Sequence, residues 1–173
     1  MTWTDPRTWV VGEKLRAADL NEQLRDNLKF LYEQPMVSLR RTSDLGVDDA
    51  TTVSVPWSEA VHDPEGMWDS GSPEKVVIQR EGLYIVHTNL LWDSNTSGMR
   101  QAILLRNGVV LRSDRRTATD ATEQPISFFT SIPQGDEIEI AARQSSGSTR
   151  TLVSSMSPTR APVLMIVWIA PLI

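Results

Sequence analysis

Gly82-Leu83-Tyr84-Ile85-Val86-His87-Thr88-Asn89-Leu90-Leu91-Trp92 is the stretch that decides the fold. Tyr84, Val86, Thr88, Leu90 and Trp92 share one parity, and Leu83, Ile85, His87, Asn89 and Leu91 share the other. Side chains that alternate in this way line the two faces of a β-strand. Working outward, Met99 to Arg106 and Val109 to Ser113 flank Asn107-Gly108. An Asn-Gly pair between apolar strands marks a tight hairpin, because both residues accept the positive φ of a type I′ turn. Pro125 to Ile132 and Asp136 to Arg143 flank Pro133-Gln134-Gly135, a second turn, and Ser145 to Ser148 reads as a hairpin tip before a strand at Thr149 to Ser155. Val76 to Arg80 and Thr51 to Trp57 add earlier strands, and Val163 to Ala170 closes the chain. About eight to ten short strands with no intervening helix predict a sandwich or jelly roll.

The final strand is apolar at both parities: Leu164, Ile166 and Trp168 alternate with Val163, Met165, Val167 and Ile169. An antiparallel sandwich leaves one face of each sheet in water, so an apolar second face predicts cover by another subunit. Leu164, Ile166 and Trp168 are the candidate contact residues on this strand.

Ahead of the β region, Ala17 to Glu33 carries Leu20, Leu24, Leu28 and Leu31 along one helical face, with Glu22, Arg25, Asp26 and Lys29 on the other, and Pro35 ends it. A helix of this length is marginal alone, so its stripe needs a partner surface. That surface is either another protein or the helix's own β-domain. A heptad frame puts Ala17, Leu24 and Leu31 at one seam position and Leu20 and Asn27 at the other, where a buried Asn can specify register. Leu20, Leu24, Asn27, Leu28 and Leu31 are therefore the candidate attachment or oligomer residues. The expected organisation is a mainly β chain: an arm and one short α-helix over residues 1–35, then an antiparallel jelly-roll domain over residues 36–173.

Charge and composition exclude several functions. Net charge is −5, unlike the basic balance of a nucleic-acid binder. The chain has no Cys, which removes disulfides, thiolate metal sites and Cys nucleophiles together. The apolar run from Val163 to Ile173 is too short for a membrane helix, and the polar start from Met1 to Gly12 is no signal peptide, so synthesis as a soluble cytoplasmic chain is expected. His62 and His87 are the only two histidines, with no Gly-x-Ser-x-Gly elbow, so no nucleophile–base pair is legible. Asp44, Asp48, Asp49, Glu59, Asp63, Glu65, Asp69 and Glu74 make residues 44–74 acidic, but without the grammar of a calcium loop; a solvated loop and no metal are expected. Arg112, Arg115 and Arg116 form a small basic patch, read as a rim or intersubunit ion-pair cluster. Trp57, Trp68 and Trp92 are either core anchors or a sugar-stacking platform.

Two resemblances cover most of the chain. Arg7-Thr8-Trp9-Val10-Val11-Gly12-Glu13, Ala17-Ala18-Asp19-Leu20-Asn21 and Arg25-Asp26-Asn27-Leu28-Lys29-Phe30-Leu31 resemble the N-terminal signature of small virion structural proteins from phages of actinobacteria. Arg16 stands where that family has a capping Thr, so the capping box with Asp19 is lost. Gly82-Leu83-Tyr84-Ile85-Val86, Arg106-Asn107-Gly108 and Ile132-Pro133-Gln134-Gly135-Asp136-Glu137-Ile138 are similar, in that order, to the jelly roll of complement component 1q and tumour necrosis factor heads. The second resemblance implies a homotrimer with its last strand near the three-fold axis. Together they imply a non-enzymatic, cofactor-free virion component, attached to other virion proteins by its N-terminal arm as a tail, baseplate or capsid-decoration element. The alternative is a receptor-binding module for a host-surface polysaccharide. A cell-wall enzyme is the third class, and it lacks a legible site. Neither nucleic acid nor membrane is an expected partner.

Overall fold

The computed structural model describes residues 3–154 and 161–172. The chain divides into two compact units, Met1–Gln34 and Pro35–Ile173. In the first, α1 (Ala17–Leu20) and α2 (Asn27–Tyr32) are joined without a break by a π-helical turn at Asn21–Asp26. The single helix expected there thus carries a wider turn in its middle. Arg16 at the N-cap makes no side-chain cap bond, as its chemistry dictates.

The second unit contains β1 (Met36–Arg40), β2 (Leu45–Val47), β3 (Thr52–Ser54), β4 (Glu59–His62), β5 (Lys75–Val77), β6 (Gly82–Leu91), β7 (Met99–Arg106), β8 (Val109–Thr117), β9 (Glu123–Ile132), β10 (Glu137–Gln144), β11 (Arg150–Leu152) and β12 (Val163–Ala170). One sheet runs β4-β1-β12-β6-β9. The other runs β3-β10-β7-β8, with β5 also on β10. β2 and β11 form a small ribbon. Among the described residues every strand pairing is antiparallel. The fold is the mainly β jelly roll preceded by a short helix that the alternation predicts. Ser155, the last residue of one expected strand, lies outside the described residues.

The core collects inward parities from both sheets. Val37, Ile166 and Val86 lie in one cross-strand row, and Leu39 and Leu164 in the next. Leu104, Ile138 and Ile140 face them from the other sheet, and all eight are at most 1% exposed. Burying each of these side chains stabilises the fold by roughly 1.5–3 kcal/mol. Asn107 and Gly108 both have positive φ, as the hairpin reading requires. Asn107 also donates from Nδ2 to Asp136 and accepts the Glu137 N–H, tying this hairpin to the neighbouring turn.

β3 falls within the strand expected at Thr51 to Trp57, but the rest of residues 44–74 departs from the loop expectation: β2 and β4 lie there, and Val47 and Met67 are buried. Proline and acidic residues mask short strands whose inward side chains are few, so periodicity had little to register.

Backbone approach is closest at Gly98. Its φ is +71°, and an added Cβ would overlap the Ser145 carbonyl, a backbone atom that cannot swing aside. Gly98→Ala is expected to destabilise the β-domain by about 3 kcal/mol, read as a lower thermal midpoint. An unchanged midpoint would mean that the two loops separate freely.

Candidate subunit interface

Which parity of the last strand faces in is decided around Trp168. It is buried opposite Tyr84, against the backbone of Gly82, where any Cβ would collide with the indole. Its Nε1 donates to the Glu81 carbonyl at 3.3 Å. Tyr84 is fully buried and donates from its hydroxyl to the Arg80 carbonyl at 2.6 Å. Burial pushes its phenol well above the ordinary range, so it stays protonated.

Leu164 and Ile166 follow the parity of Trp168 and are fully buried within their own chain. These three residues were expected at a subunit contact; they belong instead to the core. The outward half of the strand is Val163, Met165, Val167 and Ile169, with Met165 and Ile169 about two-fifths exposed. The doubly apolar pattern is therefore real, and the parity assigned to its open side was wrong. Alternation alone cannot say which parity is inside.

Register extends this outward face across the sheet. Met36 on β1 lies opposite Val167, Val167 opposite Ile85 on β6, and Ile85 opposite Phe129 on β9. Phe129 is 56% exposed and Ile85 is 41% exposed, with Met36 and Val167 half-buried, so the row is apolar and open at its β6–β9 end. The next row runs His62, Ser38, Met165, His87, Ser127. His87 Nδ1 and the Ser127 hydroxyl are 2.8 Å apart. A third row begins with the Glu59–Arg40 ion pair and continues through Val163, Asn89 and Pro125. Scattered exposed apolar residues need no explanation; rows that continue from strand to strand make this sheet face the candidate contact surface.

The N-terminal unit presents a second uncovered surface. Leu24, Leu28 and Leu31 are 53%, 65% and 47% exposed, and Leu20 is half-buried. Asn27 departs from the seam role expected of it. Its Oδ1 accepts the Thr4 N–H at 3.0 Å and its Nδ2 donates to the Thr4 carbonyl at 2.8 Å. The amide is spent on the chain's own arm, in the manner of a strand pairing. Gln23 accepts the Arg7 N–H, and Phe30 is buried beside Trp3, ring centroids 6.1 Å apart. Arg7 pairs with Glu13 and Asp19 and lies over the Trp9 ring. Gly12 supplies the positive φ of the turn between Val10 and Glu13. The residues that carry the N-terminal signature are thus those that hold the arm along the helix, leaving the leucines outward.

The remaining candidates resolve differently. The acidic side chains are consumed locally: Asp63 accepts from Met67 and Trp68 N–H groups, Asp69 from Gly71, Asp49 from Gly147 and Asp44 from Ser154, while Glu65 pairs with Arg80. Among the described residues no group of three metal-ligating side chains comes together. Trp57 and Trp92 are buried, and Trp92 donates to Gln124, so they offer no stacking platform. Trp68 is partly buried and donates to the Pro73 carbonyl. Arg112, Arg115 and Arg116 are exposed on β8, an edge strand, where charge discourages unwanted pairing; Arg116 is held by Asp114. Sequence reasoning missed Arg100, which is fully buried beside the Trp92 ring and donates to the Ser97 and Met99 carbonyls and to Asn95. Nothing in a one-dimensional pattern marks an inward-facing Arg. No helix among the described residues is long and apolar enough to cross a membrane.

No protein-family model matches the chain, and no curated protein matches it by sequence. Solved structures do match. Murine APRIL, crystallised at pH 5.0, superposes with a TM-score of 0.60 at 15% identity, over 79% of this chain and 99% of that one. Eiger TNF from S. frugiperda gives 0.57 at 12%, over 81% and 95%. The globular domain of zebrafish complement 1qA gives 0.55 at 12%, over 80% and 100%. The β-domain therefore has the jelly-roll fold of the tumour necrosis factor and complement 1q heads.

Proposed function

We propose that this chain is a non-enzymatic virion structural protein of a tailed phage, a homotrimer attached to the particle by its N-terminal unit. The observation that carries the reading is the apolar row Met36–Val167–Ile85–Phe129 beside the second row through Met165. A second copy of the chain is the occupant that fits, since the row is continuous with the terminal strand that the jelly-roll resemblance sets near a three-fold axis. The virion assignment is supported by the N-terminal signature, whose residues build the arm-on-helix unit and leave Leu24, Leu28 and Leu31 for another surface.

The two units then divide the work. The β-domain assembles with copies of itself, and the helix docks on the particle. Deleting residues 1–34 is expected to leave a folded, trimeric β-domain that no longer co-purifies with assembled virions. Truncated chains found on particles at the wild-type level would move attachment to the β-domain. Loss of the trimer on truncation would move assembly to the helix.

A further inference from the structure

The two histidines of this chain, far apart in sequence, lie on one cross-strand row. That row crosses all five strands of the sheet in the order His62, Ser38, Met165, His87, Ser127, directly beside the apolar row. We propose that these histidines make assembly proton-dependent, the trimer forming when both imidazoles are neutral and separating when they are charged. The inference rests on the reading of this face as the subunit contact.

The surroundings of His87 set the sign. Its neighbours on the face are Ile85 and Asn89 on β6, Met165 and Val167 on β12, and Ser127 and Phe129 on β9. None carries a charge. In the separated chain the half-buried ring reaches water and the Ser127 hydroxyl. Assembly removes the water and supplies no carboxylate from this face, and burying an unpaired cation is costly. Around His62 the charged groups are already engaged: Glu59 with Arg40, and Asp63 with the Met67 and Trp68 N–H groups. Glu59 is thus neutralised in its pair, whereas Asp63 keeps its charge beside His62, so His87 sets the sign of the effect.

The linkage follows. The separated chains bind more protons than the assembled ones, so association is complete at high pH and is lost as pH falls. Three copies carry three equivalent His87 rings, one from each chain, so the effect multiplies. From pH 8 to pH 5 the association constant is expected to fall by at least about a hundredfold.

The experiment is light scattering on the full chain at pH 8 and pH 5, with circular dichroism at both to confirm that the β-domain stays folded. Trimer at pH 8 and folded monomer at pH 5, with trimer retained at pH 5 by the His62→Asn/His87→Asn variant, is the expected result. Trimer at both pH values in the wild-type chain overturns the proton dependence and leaves the contact face standing. Dissociation at pH 5 that persists in the double variant assigns the effect to carboxylates and also overturns it. Monomer at pH 8 overturns the contact face, and the proton dependence with it.

Discussion

Ile166→Asp is expected to leave no stably folded β-domain. Ile166 is completely buried in β12, between Val37 on β1 and Val86 on β6, in the middle of its sheet. No charged partner lies in its row, and no water reaches it. The substitution removes a full aliphatic side chain, costing about 3 kcal/mol by itself, and places a carboxyl group where it must bury a charge or take up a proton. The sum is about 5 kcal/mol or more, comparable with the whole stability of many domains. Circular dichroism and a thermal melt would show it as loss of the cooperative transition. A folded Ile166→Asp chain that merely fails to assemble would return Ile166 to the subunit contact and reverse the parity of the strand.

The same strand shows what a sequence can and cannot convey. Its bounds, Val163 and Ala170, are legible because a run of branched apolar residues follows a proline and ends at one. That both faces are apolar is legible too. Which face points inward is not, because it depends on Trp168 meeting Gly82 across a strand pair that joins residues more than eighty positions apart. The Asn107-Gly108 hairpin was readable because its determinant is local. β1, by contrast, escaped notice. Met36–Arg40 follows the helix-ending Pro35 directly and alternates Val37 and Leu39 with Ser38 and Arg40 over only five residues.

The candidate site was less legible than the fold, for the same reason. Asn27 occupies a position that a heptad frame assigns to a helix seam, but the side chain answers to Thr4, and only the arm folding back reveals it. The leucines at 24, 28 and 31 are all exposed, and the helical spacing that singles them out is a local property. Phe129 and Ile85 drew no attention as a pair; they become neighbours only through the register of β6 against β9. Residues gathered by register are invisible to pattern until the pairing is known.

Ile85→Glu is expected to abolish the proposed trimer while sparing the domain. Ile85 is one pairing step from Ile166 in the same sheet, since it sits opposite Val167, yet it is 41% exposed in the single chain. A carboxylate there stays in water, so the monomer should change by only about 1 kcal/mol. In the proposed trimer three such carboxylates would enter an apolar contact beside Val167 and Phe129, without a cation in their own row to pair with. Each buried unpaired charge costs several kcal/mol, and the three repel one another as well, so association should fall beyond detection at micromolar concentration. Light scattering then gives the 19.4 kDa chain mass in place of three times that value, with an unchanged β-rich circular dichroism spectrum. The substitution is the counterpart of Ile166→Asp: two charges placed on opposite faces of one sheet, one expected to unfold the domain and the other to separate intact chains. A trimer that survives Ile85→Glu would remove this face from the assembly. A chain that unfolds would show that the row is core, covered in the protomer by a segment that leaves no room for an acid.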